Sequence, residues 1–477
     1  MSDLTLYFYD FETWGTNPKK DHPSQFAGIR TDADLNPIGK PLNIYCQIPN
    51  DYLPHPEACL ITGITPQQSL RDGLIEAEFT RKIYQEFSTP GTCALGYNSI
   101  RFDDEVTRNT FFRNFYDPYA REWQHGNSRW DIIDLVRACY ALRPEGVNWV
   151  YKSDGTPSFK LEELTIANDI SHENAHDAMS DVYGTIALAK RVKEAQPRLF
   201  DYIFSLRQKQ AVGKLIDCYN MKPFIHVSSK LPASQGCCTW MVPIAYHPTN
   251  KNAVICINLQ QDPTRLAALS TEEIKALLYA KNEDFPDGTE RLPLKLIHLN
   301  KCPVVLPPKS LSEEGAERLG INRQQCLVHL EWIKQSEGLH KKLQDVYDTP
   351  YSDNEQVDVD HSLYSGGFFS DSDKAKMEQI RQMAPEALIE LAWQFDDPRI
   401  QSMLFRYRAR NYPTTLSEKE IEKWQRHRQY RLMEAHGDAS IILPEYLERI
   451  GLLAEQYVDD ARKRQILKDL YTYAQQL

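Results

Sequence analysis

The run Leu4-Thr5-Leu6-Tyr7-Phe8-Tyr9-Asp10-Phe11-Glu12-Thr13 constrains this chain more than any other stretch. Side chains on a strand alternate between its faces, so Leu4, Leu6, Phe8, Asp10 and Glu12 share one side and Tyr7, Tyr9 and Phe11 the other. Apolar residues on both faces predict a central strand covered on both sides. The strand ends in two acids separated by one residue. Converging carboxylates repel and resist desolvation unless a cation neutralises them, which a divalent ion does economically. An isolated Asp-X-Glu is more often a solvated acidic turn, so the pair gains meaning only from partners elsewhere in the chain.

With 477 residues the chain exceeds one ordinary core, and two or three domains are expected. Its 42% hydrophobic and 25% charged residues are those of a soluble globular protein. No apolar run approaches the roughly 20 residues that a membrane helix needs, so no membrane association is expected. Asp3 follows the start at once, without a cationic segment and apolar core, which argues against a signal peptide. The ten cysteines are scattered, with only Cys237 and Cys238 adjacent and no Cys-X-X-Cys pair. Neither a zinc ribbon nor a disulfide framework is indicated, and a reducing cytoplasm is expected. A net charge of −11 counts against non-specific nucleic-acid binding, although local patches override a global sum.

After the first strand, two further strands around Phe26–Asp32 and Pro41–Ile48 complete a three-stranded meander. One helix is expected from Thr65 to Phe87, and another after Ile100, where Asp103 or Asp104 is placed to cap it. Helical patterns over Asp131–Ala141, Lys160–Asn168 and Asp177–Val192 complete an alternating α/β domain ending near Pro197. Short β-like runs then follow at Lys222–Val227, Cys238–Tyr246, Ala253–Leu259 and Leu294–Leu299, with a helix over Thr271–Tyr279, a spacing that suits a small barrel or sandwich. From Ser312 the chain is helical and charged, broken by an acidic stretch, Ser352–Asp360, that reads as a linker.

Three places supply carboxylates where structure gives them meaning: Asp10 and Glu12 at a strand end, Asp103 at a helix start, and Asp181 in the helix after His176. Singly, Asp103 reads as a cap, Asp181 as a solvated helix residue and His176 as an exposed loop histidine. The set shifts the balance: strand Asp-X-Glu, then Phe102-Asp103, then His176-Asp-Ala-Met-Ser-Asp181.

That set resembles the DEDDh exonucleases, its three motifs falling in the family's order. The segments Phe102-Asp-Asp-Glu-Val-Thr-Arg-Asn, Arg113-Asn-Phe-Tyr-Asp-Pro-Tyr, Asn127-Ser-Arg-Trp-Asp, Ala138-Cys-Tyr-Ala-Leu-Arg-Pro-Glu-Gly and Arg198-Leu-Phe-Asp-Tyr look like bacterial exonuclease I. Gly320-Ile-Asn-Arg-Gln and Arg408-Ala-Arg-Asn carry the likeness across essentially the whole chain. The resemblance implies an α/β fold: a ribonuclease H-like exonuclease domain with a mixed sheet (1–198), a small β-barrel-like, Src-homology-like domain with helices (199–350), a linker (351–360) and a C-terminal helical domain (361–477). It implies 3′–5′ hydrolysis of single-stranded DNA to 5′-mononucleotides, in DNA repair and recombination, by two magnesium ions for which manganese can substitute. Asp10, Glu12, Asp103 and Asp181 are then the metal ligands, with His176 as general base, a role that a pKa near 6.5 suits. Asp104 and Asp177 are neighbours for which a helix cap or a solvated face suffices.

Aromatic and basic residues interleave in Phe405–Tyr412 and Lys423–Arg431, a mixture that suits single strands because bases stack on rings while cations follow phosphates. An amphipathic helix with a solvated cationic side is the competing reading. Beside a nuclease, Arg406, Arg408 and Arg410 are expected to guide the strand, and Phe11, Glu12 and Lys160 to meet its 3′ end. The resemblance further implies docking of the acidic C-terminal tail of single-strand DNA-binding protein, with Arg143, Tyr202 and Lys222 as candidates, and a monomeric enzyme. A 3′–5′ exoribonuclease of the same superfamily has the same catalytic residues and is the rival enzyme. A non-catalytic single-strand clamp would lack a carboxylate or the histidine, and none is missing.

Overall fold

The computed structural model describes residues 4–171, 177–281, 285, 291–348, 357–389, 391 and 393–477. The chain divides into two compact units, one of Met1–Ser128, His172–Tyr183 and Asp353–Leu477, the other of Arg129–Ser171 and Gly184–Ser352.

In the first unit β1 (Thr5–Thr13), β2 (Pro23–Thr31) and β3 (Pro37–Tyr45) form the expected antiparallel meander. β4 (Thr92–Gly96) pairs parallel with the start of β1, from Thr5 opposite Thr92 to Phe8 opposite Leu95. With antiparallel and parallel pairs together the sheet is mixed, and β1 lies inside it between β2 and β4; β5 (Ser128–Asp131) begins at the last residue of this segment. Its two apolar faces account for that position, since Leu6, Tyr7, Phe8 and Tyr9 are all buried. Tyr7, Tyr9 and Phe11 share a core with Phe26, Phe79, Ile83, Phe87 and Phe111. β3, at the edge, is largely exposed and carries Pro37, Lys40 and Pro41, residues that discourage pairing with another chain.

The single helix expected over Thr65–Phe87 is two, Pro66–Asp72 and Glu76–Phe87. Between them Leu74 joins the sheet instead, donating to the Tyr45 carbonyl at 2.9 Å and accepting from the Gln47 amide at 2.8 Å. Gly73 makes the break possible, because a Cβ there would lie 2.4 Å from the Ser69 carbonyl oxygen. Asp103 and Asp104 do not cap the next helix, Asp103–Arg113: Phe102 holds the N-cap position and both acids lie in the first turn. There they still face the positive end of the helix dipole.

The C-terminal helices are not a separate body. Trp14, Ile48, Tyr52, Leu53, Cys59 and Ile64 share one core with Tyr446, Ile450, Leu467, Leu470 and Tyr473. Ala77, Phe112 and Phe115 share another with Met377, Ile380, Ile400, Met403, Leu404 and Tyr407.

The second unit has a short ribbon, β6 (Val150–Tyr151) with β7 (Pro157–Ser158), and a five-stranded sheet. That sheet comprises β8 (Phe224–Val227), β9 (Cys238–Tyr246), β10 (Ala253–Asn258), β11 (Leu294–His298) and β12 (Val304–Leu306), in the order β11-β10-β9-β8-β12. The expected strands and the Thr271–Tyr279 helix are present. β12 is an addition, three residues between Pro303 and Pro307, too short to show alternation. Among the described residues no helix is long and apolar enough to cross a membrane.

Candidate active site

Strand alternation aims Asp10 and Glu12 to the side of β1 opposite the Tyr7, Tyr9 and Phe11 rings. Asp181 arrives from the first turn of the helix Ala178–Ala195. One carboxylate oxygen from each of Asp10, Glu12 and Asp181 lies within 4.8 Å of the others. Asp103, 4% exposed, stands outside that tight group of three. Its Oδ1 accepts from the Phe11 backbone N–H at 3.1 Å, which ties the start of the Asp103 helix to the strand between the two acids.

Asp177 anchors the helix that carries Asp181. Its Oδ2 accepts from the Ser180 amide at 3.2 Å, a helix cap as expected. Its Oδ1 accepts from Gln25 Nε2 at 3.1 Å, and that amide also reaches Asn43 Oδ1 at 3.0 Å. Gln25 is the cross-strand partner of Glu12, so one buried side chain links the elements that carry Glu12 and Asp181.

Crowding and burial raise the proton affinity of these acids. Burial pushes the Asp10 carboxyl well above the usual range, and Asp103, Glu12, Asp181 and Asp177 add to the effect in that order. Burial likewise pushes Glu12 up to about 8, reinforced by Asp181, Asp103 and Asp177. A site that strains to ionise is one a cation relieves. Among the described residues its donors are carboxylate oxygens, and such hard ligands fit magnesium or manganese.

His176 lies outside the described residues. Phe11 does not present its ring to a 3′ end: it is 4% exposed and packs edge-on against Phe26 at 4.9 Å between ring centres. Its backbone amide serves the site instead. The expectation for the three arginines is overturned. Arg406 pairs with Asp358 and with Asp360 at 2.8 Å, Arg410 with Asp51 at 2.7 Å and Asp360 at 2.6 Å, and Arg408 with Glu420 at 2.7 Å. These cations are consumed by internal carboxylates, and part of the expected linker, Asp358 and Asp360, is the counter-charge.

In the second unit Lys160 is exposed, with Glu163 at 3.4 Å and Glu162 at 3.7 Å. Arg143 and Lys222 are exposed there too, while half-buried Tyr202 donates to the Val305 carbonyl at 3.1 Å. Asp104 is neither cap nor solvated: at 1% exposure it accepts from the Tyr9 hydroxyl at 2.7 Å and from Arg121. Sequence reasoning missed Gln25 and Arg121, which have no motif of their own.

Comparison with known proteins fits this geometry. Residues 7–189 match the exonuclease family model, 207–349 the exonuclease I SH3-like domain and 357–477 the exonuclease I C-terminal domain. Exodeoxyribonuclease I of Haemophilus influenzae is 48% identical over 476 residues, covering 99% of this chain and 98% of that protein. The Escherichia coli K12 enzyme of the same name is 48% identical over 479 residues, with the same coverage. The crystal structure of E. coli exonuclease I in complex with a dA16 oligonucleotide superposes with a TM-score of 0.95 at 48% identity, covering 99% of this chain and all (100%) of that one. A moderately thermophilic exonuclease I from Methylocaldum szegediense gives 0.94 at 46% identity, covering 99% of both chains. A zinc-bound form of the E. coli exonuclease I–single-stranded DNA complex gives 0.93 at 48% identity, covering 100% of this chain and 99% of that one. With a carboxylate cluster built for a cation and relatives matched from end to end, the chain belongs to the exodeoxyribonuclease I family.

Proposed function

We propose that this protein removes 5′-mononucleotides from the 3′ end of single-stranded DNA with magnesium bound at Asp10, Glu12, Asp103 and Asp181. The gathering of the Asp10, Glu12 and Asp181 oxygens within 4.8 Å carries the reading. Family membership and the oligonucleotide complexes of similar enzymes support the choice of substrate. Held by these carboxylates, a pair of magnesium ions supplies an activated water and offsets charge on the phosphate and the leaving 3′ oxygen. His176 accepts the attacking water's proton on its neutral imidazole. The buried floor beneath the acids keeps the electrostatics strong by excluding bulk water. Lys160 takes a phosphate of the substrate strand.

Arg143, Tyr202 and Lys222 take the acidic tail of single-strand DNA-binding protein, and the enzyme acts as a monomer in repair and recombination. A reducing cytoplasm is its setting, supported by all ten cysteines being free thiols. As sequence modules the chain runs 1–198, 199–350, a linker 351–360 and 361–477, a division that the three family matches support.

The test compares matched single-stranded DNA, duplex DNA and RNA, each with magnesium and with a chelator. Mononucleotides are expected from single-stranded DNA with magnesium and from nothing in chelator. Equal release from RNA would move the reading to an exoribonuclease, and binding without release would move it to a clamp.

A further inference from the structure

Behind the acids lies a second buried cluster. Tyr9 precedes Asp10 on β1 and points to the opposite face; Asp104 follows Asp103 in the first helical turn. The Tyr9 hydroxyl donates to Asp104 Oδ1 at 2.7 Å. Arg121 Nη2 donates to the same oxygen. All three side chains are buried: Tyr9 and Asp104 are 1% exposed, and so is the Arg121 side chain. The guanidinium lies over the Phe87 ring at 4.7 Å and the Tyr9 ring at 5.8 Å, and among the described residues its Nε and Nη1 have no hydrogen-bond partner. The Tyr9 ring is itself wedged against Phe87, edge-on with centres 4.9 Å apart.

Burying an arginine with three idle N–H donors costs stability, which packing alone would not recommend. Its placement does two things for the site. Asp104 would otherwise add another negative charge beside acids that already repel one another, and Arg121 cancels it. The Tyr9–Asp104 bond also joins the residue before one metal ligand to the residue after another. Together with the Phe11 N–H bond to Asp103, it cross-links β1 to the Asp103 helix at two points flanking the ligands.

We propose that Tyr9, Asp104 and Arg121 form a buried clamp of positioning residues that sets the spacing of Asp10 and Asp103, and so the affinity of the site for its divalent cation. The clamp rests on the metal-site reading above.

The test uses the full chain and manganese as the probe, with free Mn²⁺ followed by electron paramagnetic resonance. Tyr9→Phe deletes one hydroxyl and keeps the ring in its packing. Its half-saturating Mn²⁺ concentration should rise about 10-fold, as loss of groups that orient metal ligands does. kcat should fall while KM for an oligonucleotide holds, with little change in thermal midpoint. Arg121→Met should weaken Mn²⁺ binding similarly and Arg121→Lys restore part of it; if Arg121→Met does not fold, Tyr9→Phe decides. Parent-like Mn²⁺ binding by Tyr9→Phe, with any loss confined to thermal stability, overturns the clamp. The parent and Asp10→Asn separate the two readings: failure of the parent to bind Mn²⁺, or undiminished binding by Asp10→Asn, removes the metal site and the clamp with it.

Discussion

Glu12 has an ordinary value of 4.5 and, in the fold, is held up to about 8 by burial and by Asp181 and Asp103. Between those values the folded chain keeps a proton that the unfolded chain has released. Stability present below pH 4.5 is therefore lost as pH rises through about 8. In chelator, the thermal midpoint is expected to fall across that window, and saturating magnesium should flatten the slope by taking the proton's place. Glu12→Gln should flatten it in part without metal, whereas a pH-independent midpoint in the chelated parent would contradict the crowding. Asp10 and Glu12 were legible in the sequence because a period of two turns spacing into direction. Arg121 was not, since its neighbours Tyr119, Ala120, Glu122 and Trp123 show no periodicity and its partner Asp104 comes from another element. Asp104 was misjudged for the same reason: a carboxylate at a helix start looks like a cap until something else binds it.

At the scale of the element, the helix Pro398–Asn411 shows how a cationic run misleads. Arg406 and Arg410, four residues apart, share a face, and that face meets Asp51, Asp358 and Asp360. The sequence displays the cations together and scatters the acids, so only half of each pair is visible. Both acids are strongly held in the charged form: Arg410 counts most among the charges drawing Asp51 and Asp360 well below the usual carboxylate range, against the upward pull of burial. Arg410→Ala leaves both without that partner inside the fold and is expected to cost about 3–5 kcal/mol. Urea denaturation of the full chain measures it. Unchanged stability with weakened binding of single-stranded DNA would instead return Arg410 to the strand-guiding surface. The break at Gly73 was hidden for a related reason, because Leu74 leaves the helical pattern to satisfy the backbone of Tyr45 and Gln47, a demand that exists only once the sheet has formed.

At the scale of the whole molecule, the charged helical character from Ser312 onward predicts helices, but not what they pack against. The answer is the N-terminal segment: Trp14, Ile48, Tyr52, Leu53, Cys59 and Ile64 are covered by helices from the last part of the chain. Large apolar side chains contribute about 1.5–3 kcal/mol each when buried. Uncovering this set removes an amount comparable with the whole net stability of a domain, about 5–15 kcal/mol. Asp51, 1% exposed, loses Arg410 at the same time and becomes an unpaired charge or takes up a proton. The clustered carboxylates Asp10, Glu12 and Asp181 reside before residue 182, yet a chain cut to residues 1–198 is expected not to hold them in place. It should lack a cooperative thermal transition and expose apolar surface to a hydrophobic dye. Supplying residues 357–477 as a separate chain should restore both the transition and magnesium-dependent release of nucleotides, because the missing half of the core returns with it. A cooperative transition in the 1–198 chain alone, at a midpoint near that of the full protein, would show that the N-terminal segment closes its own core and that the C-terminal helices serve only the substrate.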